Sequence, residues 1–138
     1  MQATTPRVAA PDALYAAAID AAAKAYAPYS KFTVGAAVRT RSGRIFCGCN
    51  VENASYGLTI CAERNAIFQA VAAGEVDIEE VTIYTPTSVP AAPCGACRQV
   101  LNEFNPDALV RSFCDGDEVL IERLSVLLPQ SFGPKNLA

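Results

Sequence analysis

The sequence predicts an α/β fold: a single-domain, three-layer α-β-α sandwich in which a mixed five-stranded sheet carries helices on both faces. Segments with helical spacing of apolar residues alternate with shorter β-branched segments in the order α-β-β-α-β-α-β-β. A five-stranded sheet with helices on its faces is the simplest way to bury these elements. The length of 138 residues, with 51% hydrophobic side chains, suits one compact domain over residues 1–138.

The first half of the chain predicts two helices and a hairpin. An alanine-rich segment, residues 12–27, has apolar residues at helical spacing and stops at a proline. Segments 33–40 and 44–49 flank an Arg-Ser-Gly turn signal, and their Val, Ile and Phe content predicts an antiparallel hairpin. Residues 61–73 predict a second helix, which Gly74 ends.

The second half predicts three strands and one helix. Residues 80–85 alternate as a strand should, and a proline-rich loop then leads into a helix over residues 94–104 that Asn-Pro closes. Residues 109–114 and 118–124 predict two further strands around an Asp-Gly-Asp reversal.

Composition excludes several classes of function. The net charge of −3 lacks the basic footprint of proteins that hold a phosphate backbone, so long nucleic acid is a poor candidate partner. The uncharged stretches are broken by prolines, and the N-terminal residues lack a signal-peptide apolar run, so we expect a cytoplasmic protein without a membrane span. Histidine is absent, which excludes Ser-His-Asp and Cys-His nucleophile systems; any zinc must be held by thiolates and carboxylates.

Three of the six cysteines have metal-ligand spacing. Cys94 and Cys97 are three positions apart at a predicted helix start, on the side that continues into Leu101 and Phe104. A Cys-x-x-Cys pair alone also fits a redox dithiol or half of a structural zinc site. Cys61, at the start of another predicted helix, favours a zinc site shared by both helices.

A catalytic zinc site differs from a structural one in its fourth position. Three thiolates leave one tetrahedral position open to water, whereas a zinc-stabilised binding module would need a fourth protein ligand, and none is evident. A thiol-disulfide oxidoreductase using Cys94 and Cys97 remains a further alternative, although it leaves Cys61 and its neighbour Glu63 unexplained.

Charged residues follow the ligands in both helix starts. Three thiolates around zinc leave a formal charge of −1. The positive ends of the helix dipoles and hydrogen bonds from Arg64 and Arg98 to the sulfurs could offset this charge. Glu63 lies two residues after Cys61 in the same first turn, where its carboxylate can reach a metal-bound water without being a ligand. We therefore predict Glu63 as a proton shuttle; a solvated surface position is the alternative for each of these charges.

The same stretches resemble a known family. The strings CAE and PCGAC, with FTVGAAV upstream, CNVENASYG between them and LLPQSFGP near the end, resemble the small zinc-dependent, homotetrameric cytidine deaminases. The resemblance covers most of the chain. It implies one zinc ion per subunit, a free nucleoside as substrate and hydrolytic deamination of cytidine and 2′-deoxycytidine in pyrimidine salvage. Another aminated heterocycle is the alternative substrate within this family.

The resemblance also assigns substrate-binding residues. It places Asn50 and Glu52 at the ribose hydroxyls, with loop capping as their structural alternative. It places Phe32 against the pyrimidine, although a core position would also suit this residue. Ala62 would offer its backbone to the base edge, and Phe132 would reach into a neighbouring subunit's pocket in a homotetramer.

The remaining cysteines, Cys47, Cys49 and Cys114, lie on predicted strands. Their spacing matches no fourth-ligand arrangement, and we interpret all three as buried, inert thiols.

Overall fold

The computed structural model of the protein describes residues 3–4 and 12–138. In this part of the chain no helix has both the length and the apolar character needed to cross a membrane. The helices are α1 (Ala13–Ala22), α2 (Ala62–Ala72), α3 (Gly95–Phe104) and α4 (Leu124–Leu127). The strands are β1 (Ala3–Thr4), β2 (Gly35–Thr40), β3 (Ile45–Cys49), β4 (Ile78–Tyr84), β5 (Leu109–Phe113) and β6 (Leu120–Arg123).

The strands form one mixed sheet in the order β1-β6-β5-β4-β2-β3. Only β4 and β5 pair in parallel, and the other neighbouring strands are antiparallel. All five predicted strands are present, so the predicted fold class is confirmed. The two-residue strand β1 adds a sixth at the edge beside β6. Sequence reasoning missed it because two residues are too few to show alternation.

Helices cover both faces of the sheet. On one face, Ala37 of β2 packs in a cluster with Ala18 of α1. Its neighbour Ala36 points the opposite way, into the main core with Ala66 and Ala70 of α2, because successive strand residues alternate between faces. The site-bearing helices α2 and α3 contact each other on this second face.

Glycine allows α2 to approach the sheet closely. A β-carbon at Gly48 of β3 would lie 2.4 Å from the backbone nitrogen of Ala66 and 2.7 Å from the carbonyl oxygen of Ala62. Such distances are far inside van der Waals contact, so only glycine fits at this crossing. The first turn of α2 is thereby seated directly on β3.

Two predicted elements have wrong boundaries for reasons of tertiary contact. Helix α1 ends at Ala22, not near residue 27, because the Tyr26 N–H donates to the Asn50 carbonyl and the Tyr26 carbonyl accepts from the Glu52 N–H. The strand predicted over 118–124 is shorter, and residues 124–127 form α4 instead, with the fully buried Leu124 turned into the main core.

Candidate active site

Two helix starts converge on one point. Cys61 is the N-cap residue of α2 and Cys94 that of α3, and neither side chain makes a capping hydrogen bond. In most helices a serine, threonine or aspartate oxygen would accept a first-turn N–H at this position. Here cysteine occupies the N-cap position of both helices, so the positive ends of two helix dipoles lie beside the thiols.

The three predicted sulfur ligands are together. The Cys61 and Cys94 sulfurs are 3.7 Å apart, and those of Cys94 and Cys97 are 3.5 Å apart. All three lie within 4.8 Å of one another, and the described part of the chain holds no second cluster of three or more such groups. A tetrahedral zinc ion with Zn–S bonds of about 2.3 Å spaces its sulfurs by roughly 3.8 Å. The donor set and its spacing therefore fit zinc.

The two arginines have different partners. The Arg64 Nη2 donates to the Cys61 sulfur at 3.5 Å, and this hydrogen bond raises the pKa of Arg64. Arg98 instead donates from Nε to the Pro93 carbonyl at 2.7 Å and from Nη1 to the Leu127 carbonyl at 2.8 Å. The thiolate contact expected of Arg98 does not occur among these hydrogen bonds; its guanidinium ties the start of α3 to the end of α4.

The pKa values of Cys61 and Cys97 are shifted in opposite directions. The hydrogen bond from Cys97, followed by the one from Arg64, lowers the pKa of Cys61 to about 5. The same contact with Cys61, together with burial, raises the pKa of Cys97. Cys61 is thus a thiolate at neutral pH even without a metal, which is the form that binds zinc.

Glu63 is a buried carboxyl group at the same helix start. Its side chain is 7% exposed, and burial raises the pKa of Glu63 to about 7, with the Cys61 thiolate adding to the effect. A carboxyl group with a pKa near neutrality can both take up and release a proton under working conditions. The position of Glu63 thus suits a proton carrier.

A cavity of about 260 Å³ opens beside these groups. This volume is of the order of a small ligand site. A larger groove, about 700 Å³, lies between α1 and α2, but only the smaller cavity reaches the three-sulfur cluster. The smaller cavity is lined by Ser30, Phe32, Val34, Asn50, Glu52, Thr59, Cys61, Ala62, Glu63, Ile83, Ala91, Ala92 and Cys94.

Asn50 and Glu52 line this cavity and also hold its wall. The Asn50 Oδ1 accepts from the Val34 N–H at 2.9 Å, and its Nδ2 donates to the Phe32 carbonyl at 2.7 Å. The Glu52 Oε1 accepts from the backbone N–H groups of Tyr29 and Ser30 at 2.9 and 3.2 Å. The loop-capping alternative considered for both residues is therefore real, and it leaves each with unused hydrogen-bonding capacity toward the cavity.

The other predicted contact residues lie at or near the cavity. Ala62 is fully buried at the first position of α2, and Phe32 is 43% exposed in the cavity wall. Phe132 does not line the cavity; its ring is 61% exposed, and its carbonyl accepts hydrogen bonds from Gln99 and Asn102 of α3.

The interpretation of the other cysteines was wrong in part. Cys114 is buried as expected, whereas Cys47 is exposed and Cys49 is half-buried. Both lie on β3, which is the outermost strand on its side of the sheet. An edge strand is open to solvent along one side, and the sequence does not reveal which strand is at the edge.

Sequence reasoning missed Ser30. Its side chain links Glu52 to the loop before β2, although the two residues are separated by 22 positions in the chain. No local pattern signals such a contact. Phe32 stands two positions later, and a polar residue that close to a predicted cavity aromatic is the only hint that the sequence offers.

Comparison with known proteins agrees with this geometry. Residues 10–112 match the family model described as the cytidine and deoxycytidylate deaminase zinc-binding region. The chain belongs to this deaminase family. A cytidine deaminase from Halalkalibacterium halodurans is 43% identical over 87% of this chain and 92% of its own length. One from Mycobacterium tuberculosis is 41% identical over 87% of each.

Solved structures of cytidine deaminases share this fold over most of the chain. The crystal structure of a cytidine deaminase from Burkholderia pseudomallei superposes with a TM-score of 0.82 at 50% identity, covering 87% of this chain and 97% of that one. The cytidine deaminase from Mycobacterium tuberculosis gives a TM-score of 0.76 at 40% identity, covering 87% and 94%. The chain is thus an enzyme and, as a member of this family, a hydrolase.

Proposed function

We propose that the protein hydrolyses cytidine and 2′-deoxycytidine to uridine and 2′-deoxyuridine with release of ammonia. The observation that carries this proposal is the junction of three sulfurs and one buried carboxyl group at one cavity: Cys61, Cys94, Cys97 and Glu63. The relatives that match over most of their length bear the name cytidine deaminase, which supports cytidine as the substrate.

Zinc would be held by the three sulfurs, one ion per chain, and would supply Lewis-acid activation of water. Glu63 takes the proton that this water loses and delivers it to N3 of the pyrimidine ring. The second water proton leaves with the amino group by the same carboxyl group, so that water and cytidine become uridine and ammonia. Burial of Glu63 keeps this proton from exchanging freely with solvent.

The Arg64 guanidinium would offset the excess negative charge of three thiolates. It already donates to the Cys61 sulfur, and a hydrogen bond withdraws charge from a metal-bound thiolate. The dipoles of the first turns of α2 and α3 add further positive charge beside the sulfurs. Together with Arg64 they offset part of the negative charge that three thiolates bring and that histidine ligands would not.

At the other end of the cavity, Asn50 and Glu52 would bind the sugar. The Glu52 Oε1 already accepts two N–H groups and Oε2 accepts the Ser30 hydroxyl, so one acceptor position remains on Oε2, and Asn50 keeps one N–H of its amide. Together they can bind one hydroxyl group, as acceptor and donor. If the bound hydroxyl is the one at 3′, which ribose and 2′-deoxyribose share, the site accommodates both sugars.

The charge of Glu52 also favours a nucleoside without a phosphate. Hydrogen bonds from Ser30 hold the pKa of Glu52 below its ordinary value, so the side chain is a carboxylate at neutral pH. A 5′-phosphate near it would be repelled. The proposed substrate is therefore the free nucleoside of a salvage reaction in the cytoplasm, and not a nucleotide or a nucleic acid.

We further propose that the protein works as a homotetramer in which Phe132 reaches a neighbouring subunit's cavity. Large aromatic side chains are exposed around the cavity and at the C-terminal arm: Tyr29, Phe32, Tyr56 and Phe132. Exposed apolar patches of this kind mark interaction surfaces. Sedimentation analysis of the purified protein tests the assembly, and a monomeric mass at assay concentrations would contradict it.

The decisive experiment joins activity and metal content. The purified protein is incubated with cytidine, and the ultraviolet absorbance change and ammonia release are followed while zinc is quantified. X-ray absorption should count three sulfur ligands and one oxygen or nitrogen ligand. Four sulfur ligands would favour a structural zinc module, and a metal-free active dithiol would favour an oxidoreductase.

The substitution Glu63→Gln tests the proton carrier. We expect zinc to remain bound and kcat to fall by at least a factor of about 10³, because the amide cannot carry the proton. Glu103→Gln is the matched control, since Glu103 is an exposed glutamate of α3, and it should retain wild-type activity. A zinc-loaded Glu63→Gln enzyme with wild-type turnover would refute the role of Glu63.

A further inference from the structure

Ser30 makes an unusual set of contacts at the sugar end of the cavity. Its hydroxyl group donates to Glu52 Oε2, and the same oxygen accepts from the Phe32 N–H at 3.0 Å. Its backbone N–H donates to Glu52 Oε1. One serine thus joins the carboxylate proposed to bind the sugar to the backbone of the aromatic residue proposed to contact the base.

We propose that Ser30 is a positioning residue for substrate recognition, fixing the orientation of the Glu52 carboxylate and the Phe32 wall relative to each other. The inference rests on the proposed function, because it assigns Glu52 to a sugar hydroxyl. Ser30 needs no contact with the substrate, since it acts through Glu52 and Phe32.

The contacts at Glu52 show why the hydroxyl group matters. Without it, Oε1 would still be held by the N–H groups of Tyr29 and Ser30. Oε2, the oxygen with capacity left for substrate, would lose its protein partner and could rotate or accept water instead. The hydroxyl group therefore acts on Oε2, which keeps an acceptor position, while the two backbone N–H groups act on Oε1.

The loop itself needs this restraint. Lys31, between Ser30 and Phe32, has a φ of 63°, in the left-handed region that non-glycine residues rarely adopt. The Asn50 side chain holds the far end of the loop through Phe32 and Val34, and its backbone carbonyl accepts from the Tyr26 N–H, four positions before Ser30. The Ser30 hydroxyl group spans the left-handed residue by accepting from the Phe32 N–H, and the backbone N–H of Lys31 donates to the Ala27 carbonyl at 3.1 Å.

The test compares two substrates in three variants. Ser30→Ala removes the hydroxyl group, and Ser30→Thr retains it. Ser42→Ala is the matched control, because Ser42 is an exposed serine that also donates to a glutamate, Glu75, at 2.6 Å and does not line the cavity. Each zinc-loaded enzyme is assayed with cytidine and with 2′,3′-dideoxycytidine, which lacks the sugar-ring hydroxyls.

For Ser30→Ala we expect KM for cytidine to rise about tenfold with kcat within a factor of about three. KM for the dideoxy compound should change by less than about twofold, because the contact that Ser30 supports is absent from it. Ser30→Thr should recover most of the affinity for cytidine, and Ser42→Ala should match the wild type with both substrates.

Equal losses with both substrates would overturn the inference, since they would assign Ser30 a general structural role. Wild-type KM in Ser30→Ala, or a Ser30→Thr enzyme as weak as Ser30→Ala, would also overturn it. A wild-type protein that binds zinc but does not deaminate cytidine would refute the proposed function itself, so the two failures are distinguishable.

Discussion

Helices α2 and α3 begin in the same way and diverge within one turn. Each has a cysteine as its N-cap, Cys61 or Cys94, with no side-chain capping bond. Three positions later α2 carries Arg64 and α3 carries Cys97. At the second helical position, α2 has Glu63 and α3 has Ala96.

The difference separates two tasks on one scaffold. Helix α3 supplies two of the three sulfurs, whereas α2 supplies one sulfur, the buried carboxyl group and the cation that contacts the thiol. A residue three positions after an N-cap lies on the same side as the cap, so an arginine or a cysteine there reaches the same point. The two helix starts are therefore complementary, and neither could form the site alone.

The largest expected effect comes from removing a sulfur from either helix. Cys61→Ala and Cys97→Ala should each lower zinc content from about one ion per chain to near zero after dialysis, with activity reduced at least about 10³-fold, because two thiolates hold zinc poorly. Zinc quantitation and the cytidine assay measure both effects. Cys47→Ala, which removes an exposed thiol of β3, is the control and should change neither. Retention of zinc by Cys61→Ala alone would mean that α3 binds the metal unaided.

The two arginines give the next prediction. Arg64→Gln should lower zinc affinity or kcat by about 10- to 100-fold, because the hydrogen bond to the Cys61 sulfur is lost. Arg98→Gln should leave kcat within about threefold and reduce the free energy of unfolding by about 1–3 kcal/mol, because its bonds to two carbonyls are lost. Paired measurements of kcat and urea unfolding separate the two outcomes. Equal effects of both variants on kcat would remove the distinction between the helix starts.

The smallest expected effect lies at α1, which begins with an oxygen cap. Asp12 accepts from the Tyr15 N–H at 2.8 Å, and its hydrogen bond with Arg111 lowers the pKa of Asp12 below 3.8. The folded protein thus binds this proton more weakly than the unfolded chain does. The stabilisation is complete above the ordinary pKa and is lost as the pH falls through the lowered one.

Asp12→Asn keeps a capping oxygen and removes the charge. Since the Asp12 side chain is 54% exposed, we expect a loss of only about 0.5 kcal/mol at pH 7. The difference in the free energy of unfolding between the two proteins should shrink as the pH falls through the lowered pKa of Asp12, because both side chains are neutral below it. Urea unfolding at several pH values measures it, and a gap independent of pH would show that the charge is not its cause.

The metal cluster was predictable because its information is local. The spacing of Cys94 and Cys97 places both thiols on one side of a helix start. Cys61, followed by Glu63, lies at the start of another predicted helix. The structure brings the three sulfurs together as expected. The order of helices and strands was predictable for the same reason, since periodicity is read within short windows.

The errors concern contacts between distant segments. Arg98 donates to carbonyl oxygens instead of a thiol, and one of these carbonyls belongs to Leu127, 29 positions away. The end of α1 depends on the pairing of Tyr26 with Asn50 and Glu52. The exposure of Cys47 depends on which strand is outermost. In each case, the deciding partner is fixed only by the folded chain.

The absent side chain at Gly48 makes the catalytic end of the molecule depend on its outermost strand. The backbones of β3 and α2 are in direct contact there, with no side chain of Gly48 between them. A displacement of β3 would therefore displace the beginning of α2 as well. The relative positions of the Cys61 sulfur and the Glu63 carboxyl group therefore depend on an edge strand that is open to solvent. A substitution that displaces β3 at Gly48 would therefore change the geometry of the metal site, even if every residue of the cavity were left unchanged.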